Sequence, residues 1–280
     1  MRRRNSLGVM EGRLLPKYQG RFQAHPLGYW QEEFPIAAEL GLDCIEFILD
    51  FNDSEINPLL RPDGPDELLR LGEQTGVKVQ SVCADYFMAA PLHHADDERA
   101  ARSQGVLRRL IVQGKAIGVT DIVIPCVDQS SLAVAESRDR LVSRLLPLTE
   151  EAERTGINLS LETDLAPQPF AELLERFDSN RVTVNYDTGN SASLGFDPAD
   201  ELACYGKRIS DIHIKDRVLG GGSVKLGTGA AWFERFFAAL RPLEYSGPFI
   251  MQAYRDDEGV VVFREQLAWV RERFLDGAWT

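Results

Sequence analysis

The chain has 280 residues, of which 44% are hydrophobic and 26% charged, and 43 acidic against 31 basic side chains leave a formal net charge of −12. Those proportions suit a water-soluble fold, and so negative a surface repels phosphate backbones and anionic lipid heads, which argues against nucleic acid and membranes as partners. No run approaches the roughly 18 apolar residues of a membrane span. Only "SLGVM" follows the basic start "MRRRN" before Glu11 and Arg13, which is too short for a secretory leader, so a cytoplasmic protein is expected. Cys44, Cys83, Cys126 and Cys204 form no C-x-x-C pair, and the first three lie in apolar, strand-like contexts that favour buried free thiols.

Strand-like runs recur along the chain at 6–10, 44–49, 77–84, 121–126, 157–163, 182–187, 209–214 and 248–254. Amphipathic segments separate them. "RSQGVLRRLIVQGKAIG" and "RDRLVSRLLPLTEEAERTG" end in glycine, as helices preceding a strand tend to, and Pro147 predicts a kink in the second. Phe170, Leu173, Leu174 and Phe177 follow one helical face, as do Phe263, Leu267, Val270 and Phe274. Strands alternating with helices imply parallel pairing through right-handed crossovers. Eight such units point to an α/β fold, a single (β/α)8 TIM barrel spanning 1–280 as one domain. The rival is an open doubly wound sheet, weakened because no G-x-G-x-x-G follows the first strand.

In a barrel wrapped by helices the outward strand face is apolar, and inward residues at the C-terminal strand ends meet at the mouth. "NLSLET" then turns Asn158, Ser160 and Glu162 inward; "VTVNYD" turns Thr183, Asn185 and Asp187 inward. "ISDIHIKD" does the same for Asp211, His213 and Lys215, and "FIMQAY" for Gln252. Glu162, Asp187, His213 and Gln252 are thus expected to converge. Two carboxylates, an imidazole and an amide oxygen suit a divalent cation, with Mn2+, Mg2+ or Co2+ favoured over Zn2+. Spacing alone leaves another reading open, in which Asp187 caps the next element and His213 is a hydrogen-bonded core residue.

"LETD", "NYDTGN" and "DIHIKD", each closing a strand in that order, resemble the xylose-isomerase-like barrel superfamily. "GVMEGRLLP", "AAELGLDCIEF", "SVCADYFMAAPLH" and "GPFIMQAYRD" are similar to its sugar-phosphate isomerase/epimerase group. The resemblance implies a metal held by Glu, Asp, His and Glu from the fifth to eighth strands. Three positions carry over as Glu162, Asp187 and His213, while Gln252 stands where Glu is usual and Asn190 where epimerase relatives often carry His. The implied activity is isomerisation or epimerisation of a small sugar or sugar phosphate through an enediolate, with Glu162 as base at the metal; a homo-oligomer is compatible with it. A glutamine can neither take up nor deliver a proton at neutral pH, so two-carboxylate inversion is in doubt. A sugar-binding barrel with lost or lyase-type chemistry is therefore the alternative. A DNA-repair endonuclease on the same barrel would need more histidines than the four present, and a basic groove.

Lys215 is a candidate for stabilising or protonating an oxyanion; otherwise it pairs with Asp211, Asp216 or Glu162. Asp216 is a weaker candidate for holding the imidazole of His213. Glu46, Asp85, Asn190, Arg217 and Arg255 are candidate substrate contacts. The glycine-rich "VLGGGSVKLGTGAAW", with Arg13, Arg217 and Arg255 in neighbouring loops, raises the prospect of a phosphate subsite, although such a loop also serves as a lid. "HPLGYW" could cover a sugar ring, or Trp30 could simply pack at a helix start.

Overall fold

The computed structural model describes residues 5–257 and 259–275. Eight parallel strands close into a barrel: Leu7–Met10, Cys44–Ile48, Lys78–Cys83, Asp121–Cys126, Asn158–Thr163, Val182–Asp187, Ile209–Ile214 and Phe249–Met251. These are the first to eighth barrel strands below. Each pairs with its neighbour in sequence, and the eighth returns to the first through Leu7↔Phe249, Gly8↔Ile250 and Val9↔Met251. The seam is tight because a Cβ on Gly8 would lie 2.5 Å from Cys44 Sγ and 2.9 Å from Ile250 Cδ1.

Helices pack outside. Asp97–Ile117 and Ala135–Thr155 end before Gly118 and Gly156, and the second continues through Pro147. Phe170, Leu173 and Leu174 of helix Pro167–Glu175 are buried, as are Phe263, Leu267 and Val270 of helix Val260–Val270. They join one core with the outward strand residues Leu159, Leu161, Val182, Val184, Ile212, Phe249 and Met251. Trp30 belongs to the same core, packed against Phe34 and Phe47, which removes it as a lid over a ligand. Among the described residues no helix is long and apolar enough to cross a membrane. All four cysteines are free, with only Cys204 exposed.

The barrel interior is divided. Met10, Cys44, Ile48, Cys83 and Ile250 form a separate apolar cluster under the first, second, third and eighth strands. Under the fourth to seventh, Asp121, Ser160, Thr183 and Ser210 bond to one another instead. A register shift opposite Val184/Asn185 makes room for Ser210, so that Asp211 lies across from Asn185 and His213 from Asp187. The bulge thereby sets the alignment of two strand ends that the mouth depends on.

Candidate active site

At the mouth, the fifth, sixth and seventh strands bring Glu162, Asp187 and His213 together, each with a potential ligand atom within 4.8 Å of the others. Glu162 Oε2 lies 3.8 Å from His213 Nδ1, and Asp187 Oδ2 lies 3.9 Å from it. Asn185 spans the gap: its Nδ2 donates to Glu162 Oε2 at 3.1 Å and sits 3.1 Å from His213 Nδ1. Asn190 Nδ2 donates to the other oxygen, Oε1. Burial, and then the Asp187 carboxylate, push Glu162 up to about 7, against the pull of His213 and Lys215.

Asp187 has two tasks. Its Oδ1 accepts from the backbone N–H groups of Gly189 (2.8 Å) and Asn190 (2.9 Å), capping helix Thr188–Leu194. Its Oδ2 is left for Lys215 Nζ at 3.3 Å and His213 Nδ1 at 3.9 Å. The capping reading and the cluster reading of Asp187 therefore hold together, one oxygen each. Lys215 pairs with Asp187, a partner outside the expected set of Asp211, Asp216 and Glu162.

The ring of His213 stands on Glu46, whose Oε1 is 2.7 Å from Nε2, while Ser81 donates to Oε2 at 2.6 Å. Burial opposes an imidazolium here, but the carboxylates of Glu46, Glu162 and Asp187 together outweigh it and raise His213 to about 9. With Nε2 committed to Glu46, Nδ1 is the nitrogen that faces Glu162 and Asp187. Glu46 is fully buried beneath the ring and does not line the cavity, which corrects its expected role as a substrate contact. Asp211 lies lower still, where burial and then the Glu46 carboxylate hold its carboxyl well above the usual range.

Gln252 reaches the mouth from just beyond the eighth strand. Its Nε2 donates to Gln23 Oε1 at 2.8 Å, and Arg13 donates to the same oxygen at 3.0 Å. An oxygen that receives two donors fixes the orientation of the Gln23 amide, so Gln23 Nε2 is turned to Asp85 Oδ2 at 3.2 Å. Gln252 is oriented in consequence, and its Oε1 is buried with no hydrogen-bond partner. An orphaned acceptor at this place favours a cation or a ligand donor beside it. Together with two carboxylates and an imidazole nitrogen, it makes a donor set that fits a hard divalent cation.

Of these residues, Glu162 and Gln252 line a cavity of about 530 Å³, whose walls also include Asn190, Lys215, Arg217 and Asp85, while Asp187 and His213 are buried. Arg217 donates to Asn190 Oδ1 at 2.9 Å and to Gly221 O at 2.8 Å, with no carboxylate in ion-pair range among the described residues. Arg255 is turned away from the cavity. It donates to the carbonyls of Arg13 (2.8 Å) and Leu15 (2.9 Å) and lies over the Phe22 ring, so it braces the first loop, correcting its expected substrate contact.

The glycine-rich stretch forms a hairpin, Asp216–Arg217 with Ser223–Val224, followed by a turn wrapped on Asp216. The Asp216 carboxylate accepts from the N–H groups of Gly227, Gly229 and Ala231 at 2.9, 2.9 and 3.0 Å. Those donors are thus occupied by the chain's own anion, and Asp216 serves the loop, not His213. Gln23 and Asn185 carry the geometry of the site without having been singled out. Asn185 is legible as an inward position, whereas Gln23 lies in an irregular loop with no periodicity to read. Of the other histidines, His25 pairs with Glu11 at 2.9 Å.

The family profile of xylose isomerase-like TIM barrels matches residues 34–273. The chain is 26% identical over 259 residues to L-ribulose-5-phosphate 3-epimerase UlaE of Escherichia coli O1:K1 / APEC, covering 87% of this chain and 89% of that one. Among solved structures it is similar to the D-allulose 3-epimerase of Methylomonas sp. in complex with D-allulose, with a TM-score of 0.74, 19% identity, and 97% and 98% of the two chains covered. It is also similar to the IOLI protein with a binding zinc atom, with a TM-score of 0.72, 17% identity, and 97% and 99% covered. With its strand order and family profile in agreement, the chain belongs to the xylose isomerase-like TIM barrel family.

Proposed function

We propose that the chain is a divalent-metal-dependent isomerase or epimerase of a small sugar or sugar phosphate. The observation that carries this reading is the convergence of Glu162, Asp187 and His213 at the mouth, where the cavity wall also carries Gln252 with its unpartnered oxygen. These four residues would hold the ion, with Mn2+, Mg2+ or Co2+ the best match to an oxygen-rich set and Zn2+ the alternative. When bound, such an ion supplies Lewis acidity toward a carbonyl oxygen and its neighbouring hydroxyl.

The chain's own groups account for the rest. Glu162, buried at the mouth, takes a proton from the carbon next to the carbonyl and can return it. Asn185 and Asn190, one on each carboxylate oxygen, restrict its rotation. Lys215 puts a positive charge against the same wall and offsets negative charge developing on the substrate oxygen. Arg217, with no carboxylate partner among the described residues, is suited to a phosphate or another anionic group at the far end of a substrate. The L-ribulose-5-phosphate and D-allulose epimerases among the similar proteins support substrates of this class.

The test is deuterium exchange. Incubated with Mn2+ in D2O, the protein is expected to introduce deuterium next to the carbonyl of a ketose or ketose phosphate, and Glu162→Gln to slow this roughly 10²–10⁴-fold. The second reading, a sugar-binding barrel with lost or lyase-type chemistry, is favoured by the amide at Gln252. Binding without exchange at any carbon across a broad set of sugars would select it.

A further inference from the structure

Inverting a carbon needs two proton-handling groups, because a single base that returns its proton to the same face gives exchange without inversion. Gln252 cannot be the second, since an amide neither takes nor gives a proton near neutral pH. The cavity wall holds four carboxyl groups: Asp50, Asp85, Asp128 and Glu162. Asp50 is tied up, ion-paired to Arg21 at 3.0 Å and accepting from the His25 N–H at 2.8 Å. Asp128 is exposed to solvent in the loop beyond the fourth strand. Asp85 remains.

We infer that Asp85 is the second proton-transfer residue of this cavity, the acid that protonates the face of the substrate carbon opposite Glu162. The inference rests on the isomerase/epimerase reading above. Asp85 has the right surroundings. It is half-buried on the cavity wall and has no cation in ion-pair range among the described residues. Its Oδ1 accepts the Cys83 thiol at 3.3 Å and its Oδ2 the Gln23 amide at 3.2 Å. Gln23 in turn bonds Gln252 at 2.8 Å, so Asp85 is linked through one side chain to the eighth-strand end, where an acidic residue is missing. Burial raises its carboxyl above the ordinary range, against the Cys83 and Gln23 hydrogen bonds, which lower it, so both the proton-holding and the ionised form are within reach.

The step balances. Glu162 takes the proton from the carbon next to the carbonyl; the C–H electron pair becomes the C=C bond and the carbonyl π pair moves to oxygen. Asp85 then gives its proton to the other face, the C=C pair forms the new C–H bond, and the oxygen pair re-forms the carbonyl. Glu162 ends protonated and Asp85 ionised, and both reset by exchange with water in the open cavity.

Asp85→Asn tests this, since the amide keeps an acceptor for Gln23. With Mn2+ in D2O, and L-ribulose 5-phosphate and D-allulose as probes, the variant should exchange deuterium within about threefold of wild type. Its epimer formation should fall roughly 10²-fold or more. Asp85→Glu should recover part of that formation with exchange unchanged. Parallel loss of both signals in Asp85→Asn would mark a structural role and overturn the inference, as would undiminished epimer formation. Wild-type exchange without any epimer overturns the inference alone. Absence of exchange by wild type on both probes overturns the functional reading on which it rests.

Discussion

Gln252 sets the charge of the cavity. A glutamate there would add one negative charge to the donor set, where the amide offers only an oxygen dipole, so Gln252→Glu should tighten Mn2+ binding by about tenfold. Titration followed by the paramagnetic signal of free Mn2+ measures it, and unchanged affinity would separate position 252 from the ion. Glu162, Asp187, His213 and Gln252 are legible in the sequence because strand alternation assigns them all to one face. The roles of Glu46 and Arg255 are not legible. Alternation turns Glu46 inward but does not say that a ring from the seventh strand rests on it. Nor does loop position show that Arg255 spends its donors on backbone carbonyls.

At the scale of elements, the stretch 216–231 shows how a loop rich in glycine acquires a fixed shape. Three backbone N–H groups converge on Asp216, and a Cβ on Gly229 would sit 2.3 Å from its Oδ1, so only glycine admits this approach. Asp216→Ala should destabilise the loop by on the order of 3 kcal/mol, given the worth of hydrogen bonds to a charged group. Native-state hydrogen exchange is the measure: Gly227, Gly229 and Ala231 amides should lose protection while the barrel strands keep theirs. Strands and helices are legible here because apolar periodicity repeats over their lengths, as in Phe170, Leu173 and Leu174. The hairpin is not, because two-residue strands carry no period and its fold depends on one buried carboxylate.

At the scale of the molecule, the eightfold alternation of strand and helix makes the barrel legible from sequence, whereas its internal electrostatics are not. Glu33 illustrates this. It is fully buried, accepts from the N–H groups of Gly12 (2.7 Å) and Leu14 (2.9 Å), and is pushed by burial, then by Glu11, from 4.5 up to about 8. The folded state thus holds a proton that the unfolded chain releases near 4.5, so this contribution is full below that pH and is lost as pH climbs toward about 8. The urea midpoint of the wild type should fall across that interval, and Glu33→Gln should flatten the fall. Equal slopes in the two proteins would show that Glu33 titrates as an ordinary carboxyl.

The join between the chain's first and last strands has an ordering effect. Glu162, Asp187 and His213 come from consecutive strands and need only short crossovers to meet, whereas Gln252 and its anchor Gln23 stand at opposite ends of the sequence. Ring closure over so long a contour costs more chain entropy than the short crossovers do. The placing of Gln252 at the mouth is thus tied to the clasp beside Gly8, where the two ends of the chain are stitched together.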